Sequence, residues 1–395
     1  MGIYVNPDNY AFQKNLNDYI YIDKTDLIAC TNDRLGRSSC YLCVSRPRRF
    51  GKSMACDMLV SYYSRGCDSK DLFAGRKIAA DASFEKHLNQ HNVIRLDILR
   101  FLKRNQGGLI ERIEKAVLCE LAEAFPACAA DCDSSDLQTA LDVLYAKSGE
   151  RFIFIIDEWD CVFRSAPEEA EQQRDYLDFL RGLFKGAAYV ELVYMTGILP
   201  IKKYGEHSAI NMFTEYSMTD ASELSPYYGF TEEEVRAECG KRDVDFNGMK
   251  KWYDGYFLDG LHIYNPKSVV DALLRKKFKS YWTGTETYEA LKVYIERNFD
   301  GLREAVVTML GGGRCRINTR RFQNDMTTFE SKDDVLTLLV HLGYLTYDMQ
   351  SEEVFIPNLE IEQEFLDAVN NSKWDGLMQA LHRSDRLLEA TRETV

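Results

Sequence analysis

The 395-residue chain contains no apolar run long enough to cross a membrane. Its first residues, Met-Gly-Ile-Tyr-Val-Asn-Pro, lack the order of charged, apolar and small residues that marks a secretory signal. Gly2 is not set for myristoylation, because Asn6 stands where Ser or Thr is required. These absences predict a cytoplasmic protein with no membrane partner. A disulfide framework is also missing, since the eleven cysteines are an odd count with no regular spacing. Cys40 and Cys43 spell C-x-x-C, but on an extended strand they face opposite ways and no second pair follows. Buried, reduced thiols are therefore expected, rather than a zinc or redox site. Positive charge is in deficit, with 49 Lys and Arg against 62 Asp and Glu and a net charge of −13. That balance argues against wholesale nucleic-acid binding and leaves room for a local basic patch only.

The chain is 45% hydrophobic and carries 23 Tyr and 21 Phe, enough for sizeable cores. Its length predicts two or three domains. The stretch Tyr41-Leu-Cys-Val-Ser-Arg-Pro-Arg-Arg-Phe-Gly-Lys-Ser53 organises the rest. Tyr41 to Val44 reads as a buried strand, Pro47 and Gly51 shape a turn, and residues 54–63 have a helical pattern. Strand, loop, Gly-Lys-Ser and helix form the setting of a phosphate-binding loop, in which backbone N–H groups and the helix N-terminus attract phosphate. The candidate nucleotide-binding residues are Arg46, Pro47, Arg48, Arg49, Phe50, Gly51, Lys52 and Ser53. Lys52 would reach the β- and γ-phosphates, and the Ser53 hydroxyl would bind Mg²⁺. The pattern G-x-x-x-x-G-K-[ST] places its first Gly at position 46, where this chain has Arg46, so a solvated basic turn capped by glycine is the competing reading.

A second stretch favours the nucleotide. Arg151-Phe-Ile-Phe-Ile-Ile-Asp-Glu158 is a continuous apolar run ending in two acids. Such a run suits a parallel strand covered on both faces, and ligand groups lie beyond the carboxyl ends of such strands. Asp157 is then placed to hold Mg²⁺ and Glu158 to orient and polarise an attacking water. Glu191-Leu-Val-Tyr-Met-Thr-Gly197 is a further strand. Thr196 at its end is a γ-phosphate sensor candidate in ATPases of this plan; otherwise it caps a turn. Lys202 and Lys203 could meet phosphates or be solvated.

Along the chain, residues 19–28 read as a strand leading into a helix that starts at Thr25 or Asp26. Asp23 and Lys24 form either a solvated turn or a contact with the base or the phosphate loop. Residues 92–99 read as a strand with Asp97 near its end. Helices are expected at 107–125, with Leu109, Ile110, Ile113, Val117 and Leu121 on one face, at 134–147, and at 168–185. Residues 213–219 add a fifth strand. Strands alternating with helices predict a mainly parallel α/β sheet.

After residue 220 the texture changes. Thr231 to Glu234 is a capping box, residues 252–266 suggest a hairpin, and Asn265-Pro266 open a helix over 267–278. Residues 311–316 read as a loop. Residues 333–358 read as helix, strand, turn, strand, a winged-helix outline. The organisation expected is a P-loop α/β domain over 1–220, a small helical lid over 221–284, and a winged-helix-like α+β domain over 285–395.

Tyr21-Ile-Asp-Lys-Thr, Ser45-Arg-Pro-Arg-Arg-Phe-Gly-Lys-Ser53, Ile155-Ile-Asp-Glu158, Thr196-Gly-Ile-Leu-Pro-Ile201 and Tyr264-Asn-Pro266 occur in that order. Together they resemble the AAA-ATPase-like proteins of bacteria and archaea, relatives of the STAND and archaeal ATPases. The resemblance spans essentially the whole chain and makes Arg46 typical of the family. It implies a P-loop NTPase fold, ATP and Mg²⁺ as cofactors, and Walker A and Walker B motifs in the loop and the Asp157-Glu158 strand. Members commonly continue into a C-terminal PD-(D/E)XK nuclease-like domain, and none is legible here.

The leading expectation is an ATP-hydrolysing molecular switch. Glu158 acts on water, Thr196 senses the γ-phosphate, and Arg48, Arg49 or a neighbouring subunit's arginine supplies transition-state charge. The alternatives are a non-catalytic nucleotide-binding scaffold and a regulator of nucleic-acid processing. The expected partners are ATP and a protein or second copy of the chain, with nucleic acid less favoured by the charge.

Overall fold

The computed structural model describes residues 2–103, 108–126, 136–165, 169–201, 210–282, 301–322, 329 and 331–370. The chain divides into two compact units, Met1–Phe230 with Gln323–Phe329, and Thr231–Phe322 with Glu330–Val395. The second unit takes most of the residues expected as lid and as C-terminal domain, while residues 221–230 of the expected lid fall in the first.

The first unit is built on five strands, β1 (Tyr41–Ser45), β2 (Asn92–Asp97), β3 (Phe152–Asp157), β4 (Val190–Gly197) and β5 (Thr214–Tyr216). Their order is β2-β3-β4-β1-β5, and every neighbouring pair is parallel. Every residue of β3 is buried, as its unbroken apolar sequence requires for a strand covered on both faces. The helix Lys52–Tyr63 follows β1, Leu109–Ala124 and Leu137–Ser148 lie between β2 and β3, and Ala170–Phe184 leads to β4. The Leu109–Ala124 helix buries Leu109, Ile113, Val117 and Leu121, the expected stripe, with Ile110 at its margin. Because β4 lies between β1 and β3, the carboxyl ends of all three meet at one edge, with Val44 opposite Thr196 and Ile156 opposite Met195.

Two expectations in this unit are corrected. Residues 19–22 are not a strand, and the helix starts at Asp26 with Thr25 as its N-cap residue. The Asp23–Thr25 turn is partly buried and hydrogen-bonded to other segments of the chain. The Asp23 carboxylate accepts the Thr25 and Lys77 N–H groups at 2.9 Å each, and Thr25 Oγ1 accepts the Ile78 N–H. Lys24 Nζ donates to the Pro226 carbonyl at 2.6 Å. The turn is a joint between chain segments, because its polar groups find backbone partners in place of water. Cys40 and Cys43 are buried free thiols.

In the second unit, the helix Glu232–Arg242 opens with the capping box of Thr231 and Glu234. Tyr256–Leu258 and Leu261–Tyr264 pair antiparallel as the expected hairpin. Asn265 caps the helix Pro266–Arg275, with Pro266 at its start. The run of helix, strand, turn and strand is present as Lys332–Leu342, Thr346–Asp348 and Glu353–Phe355. Residues 311–316 are not all loop. Cys315 and Arg316 form a third strand beside Glu353 and Val354, since their backbone groups complete the ladder. Among the described residues no helix is long and apolar enough to cross a membrane. Asp375, Asp385 and Glu389, expected on terminal helices, lie outside the described residues.

Candidate nucleotide-binding site

The loop between β1 and the Lys52–Tyr63 helix has an inner and an outer face. Arg46, Pro47, Phe50 and Lys52 are buried, Arg48 is half-buried, and Arg49 and Ser53 are exposed. Arg49 has φ +69° and Gly51 φ +88°, both left-handed. Gly51 adopts that angle without strain, whereas Arg49 is a non-glycine residue held there by the loop. The Phe50 carbonyl accepts the Gly229 N–H at 3.1 Å. The helix N-terminus that follows presents unpaired N–H groups at the carboxyl edge of the sheet, a natural seat for an anion.

Arg46 does what a glycine there could not. It is fully buried, its Nη1 donates to the Ser45 and Tyr216 carbonyls at 2.9 and 2.8 Å, and its guanidinium lies 5.4 Å from the Tyr228 ring centroid. Burial lowers its pKa to about 10, partly offset by Tyr228 and Asp220. Its side chain braces the loop from behind against β5 and Tyr228. The Arg46 guanidinium, expected to contact a nucleotide, instead faces inward.

Lys52 Nζ donates to the Arg46 and Pro47 carbonyls, each at 3.0 Å. Burial lowers its pKa, while Glu158, Asp157 and Asp160 act in the opposite sense. The loop lysine is thus within electrostatic reach of the acids at the end of β3, which are far from it in sequence.

Thr196 Oγ1 donates to Asp157 Oδ1 at 2.5 Å, and the Glu158 N–H reaches the same oxygen at 3.0 Å. Thr196 is fully buried. The Trp159 N–H donates to the Thr196 carbonyl, so the ends of β3 and β4 are stitched together. Gly197 makes this possible. A Cβ there would lie 2.6 Å from Trp159 Nε1 and 2.7 Å from Asp160 Oδ1.

Four residues of the site were not read from the sequence. Arg164, on the short helix Cys161–Ser165, forms an ion pair with Glu158, and its Nε donates to Asp160 Oδ2 at 2.9 Å. Asp160 is fully buried and also accepts the Ile198 and Leu199 N–H groups at 3.1 and 2.8 Å. The i,i+4 spacing of Asp160 and Arg164 was the available signal. Asp97 ends β2 opposite Asp157, and burial followed by the Asp157 charge raises its pKa. Asp57, on the Lys52–Tyr63 helix, pairs with Arg95 at 2.5 Å. Lys202 and Lys203 lie outside the described residues.

A separate cluster in the second unit brings ligand atoms of Glu232, Asp254 and His262 within 4.8 Å of one another. Lys250 Nζ lies 2.7 Å from Glu232 and 3.9 Å from Asp254, and Arg236 pairs with Glu232 at 2.8 Å. Glu232 is already paired with two cations, and the cluster fastens helix to hairpin.

A parallel sheet with a Gly-Lys-Ser loop after β1 and an Asp-Glu pair after β3 defines a P-loop α/β protein. The family model described as "Predicted AAA-ATPase" matches residues 10–205. That segment, which holds the loop, Asp157, Glu158 and Thr196, belongs to the AAA-ATPase-like family. The chain is 26% identical over 369 residues to an uncharacterized protein from the vnfD 5′ region of Azotobacter chroococcum mcd 1, a match covering 89% of this chain and 67% of that relative. Two solved structures align with 12% identity each. The Walker-type ATPase PABY2304 of Pyrococcus abyssi gives a TM-score of 0.40, covering 87% of this chain and 94% of its own. The ORC2 protein of Aeropyrum pernix, in ADPNP–ADP complexes, gives 0.38, covering 90% and 96%. At these scores the likeness adds nothing to the strand order described above.

Proposed function

We propose that the chain binds ATP with Mg²⁺ and hydrolyses it, and that the second unit responds to the bound nucleotide. The observation that carries this reading is the meeting of Lys52, Asp157, Glu158 and Thr196 at the carboxyl edge of β1, β3 and β4. Lys52 supplies a buried cation for the β- and γ-phosphates, and the loop and helix N–H groups supply the remaining donors. Glu158 orients water and accepts its proton. Thr196, through Asp157, senses the γ-phosphate end. Arg48 or Arg49, on the loop's outer side, supplies charge to the transition state, or an arginine of a second copy does so.

The residues fit Mg²⁺. Ser53 and Asp157 offer hard oxygen donors, and Asp97, which pairs with Asp157 across β2 and β3, has a buried Oδ1 without a hydrogen-bond partner. The ion would neutralise charge developing on the phosphate oxygens. We assign the Lys332–Leu342 helix and the strands after it, read from the sequence as a winged-helix outline, to packing or protein partners, since the chain is acidic.

A second reading, nucleotide binding without turnover, is favoured by one observation: Glu158 is already engaged by Arg164. Equilibrium ATP binding and phosphate release by the full chain with Mg²⁺ separate the two. Saturable binding with steady phosphate release supports the switch, binding without release supports the scaffold, and absence of binding overturns both.

A further inference from the structure

We infer that Arg164 is a latch on Glu158 that keeps turnover low until the pair is broken. This rests on the hydrolysis reading above, because it concerns the carboxylate assigned to water.

The latch has a fixed end and a free end. At the fixed end, the Arg164 guanidinium donates through Nε to Asp160 Oδ2 at 2.9 Å. Asp160 is itself fully buried and held by the Ile198 and Leu199 N–H groups. Asp160 is therefore a rigid base built from the ends of β3 and β4. At the free end, Arg164 Nη2 holds a Glu158 carboxylate oxygen. The Glu158 side chain is 22% exposed and that of Arg164 12%, so Glu158 is the more open of the two to solvent. The Glu158 backbone is held in place, so any movement is confined to its side chain. Its φ of +54° is left-handed, an angle a non-glycine residue holds only when its surroundings impose it.

The chemistry follows from this pairing. A planar guanidinium bridging two carboxylates is a strong, directional, charge-assisted contact. While it lasts, Glu158 is turned toward Arg164, and the oxygen in the pair is not free to take a proton from water. Burial disfavours the Arg164 charge, yet Asp160 and then Glu158 outweigh it and raise its pKa. The arginine accordingly stays charged and the pair persists until Glu158 is drawn away. The Arg164 charge also acts on Lys52, against Glu158, Asp157 and Asp160, so ATP affinity and turnover are measured separately.

The test uses the full chain with Mg²⁺ and ATP, measuring ATP affinity by calorimetry and turnover by phosphate release. Arg164→Gln should still bind ATP and, at saturating ATP, release phosphate faster by about tenfold or more, a fraction of what a freed general base can contribute. In a Glu158→Gln background the same change should give no gain, which a merely structural role for Arg164 would not produce. Arg164→Lys keeps a charge beside Asp160 but loses the bridging fork. It should give a smaller gain of the same sign, and it serves if the glutamine variant does not fold. Turnover that depends on Glu158 but does not rise in either Arg164 variant overturns the latch alone. A gain that survives in Glu158→Gln also overturns it. No phosphate release from any variant, with ATP bound normally, overturns the hydrolysis reading and the latch with it.

Discussion

Thr196 Oγ1, the last hydroxyl of β4, donates at 2.5 Å to Asp157 Oδ1, the last carboxylate of β3. The two residues are far apart in sequence and neighbours only because their strands pair. Thr196→Val keeps the shape and deletes the donor. It should lower the stability of the first unit by about 1.5–3 kcal/mol, the range for a hydrogen bond to a charged group. Denaturant titration checks this, and unchanged stability would mean the bond contributes nothing net.

Lys52→Ala should weaken ATP binding by about tenfold or more, equivalent to about 1.4 kcal/mol. Lys52 is a buried cation at the loop, held by the Arg46 and Pro47 carbonyls. Calorimetry on a folded variant decides it, and an unchanged Kd would remove the phosphate-loop assignment.

Glu158→Gln should bind ATP normally and lose about 10² to 10⁴ in turnover. The amide keeps the size of the side chain and is a poor base. Single-turnover phosphate release measures the loss. A variant as fast as an active unmodified chain would make Glu158 structural.

Arg46→Gly would restore the glycine of the common loop pattern, yet it should harm the protein. It deletes the hydrogen bonds to Ser45 and Tyr216 and the packing on Tyr228. Emptying a buried site of this size costs roughly 2–5 kcal/mol. The expected result is a lower melting temperature together with weaker ATP binding. A variant that is as stable and binds as tightly would show that the loop needs no brace.

Glu360 in the second unit makes stability depend on pH. Burial raises its pKa from 4.5 to about 7, against the opposing hydrogen bonds from Tyr281 and Ser268. The folded state therefore favours the protonated acid. Its contribution is fully present below about pH 4.5 and is lost as the pH rises through about 7. At 1.36 kcal/mol per unit the loss is about 3 kcal/mol. Glu364, also raised by burial, acts in the same direction. Denaturation of the second unit across this window should show stability falling with pH, and Glu360→Gln should flatten most of the slope. A slope unchanged in Glu360→Gln would assign the dependence elsewhere.

The parts written locally in the sequence were legible there. A continuous apolar run means a strand buried on both faces, and β3 is that strand. Capping at Thr231 and at Asn265-Pro266 uses residues within three positions of one another, so both helix starts could be read directly. The Gly-Lys-Ser turn likewise announces its strand and helix. Residues 19–22 were misread because alternation does not supply a neighbouring strand. The Asp23-Lys24 turn was misread because its partners, Lys77 and Pro226, are distant in sequence.

Tertiary structure alone decided how the site is wired. The insertion of β4 between β1 and β3 sets which side chains converge, and strand order is not encoded in any single segment. Arg46 shows the limit most clearly. By sequence it is one more basic residue on a basic loop, available to a phosphate. Folding places β5 and Tyr228 behind it, and a buried guanidinium must take the acceptors and ring it finds there, because water cannot reach it. The sequence determined which residues could bind a nucleotide. The packing around them decided that Arg46 braces the loop, that Lys52 shares an edge with Asp157, and that Arg164 holds Glu158.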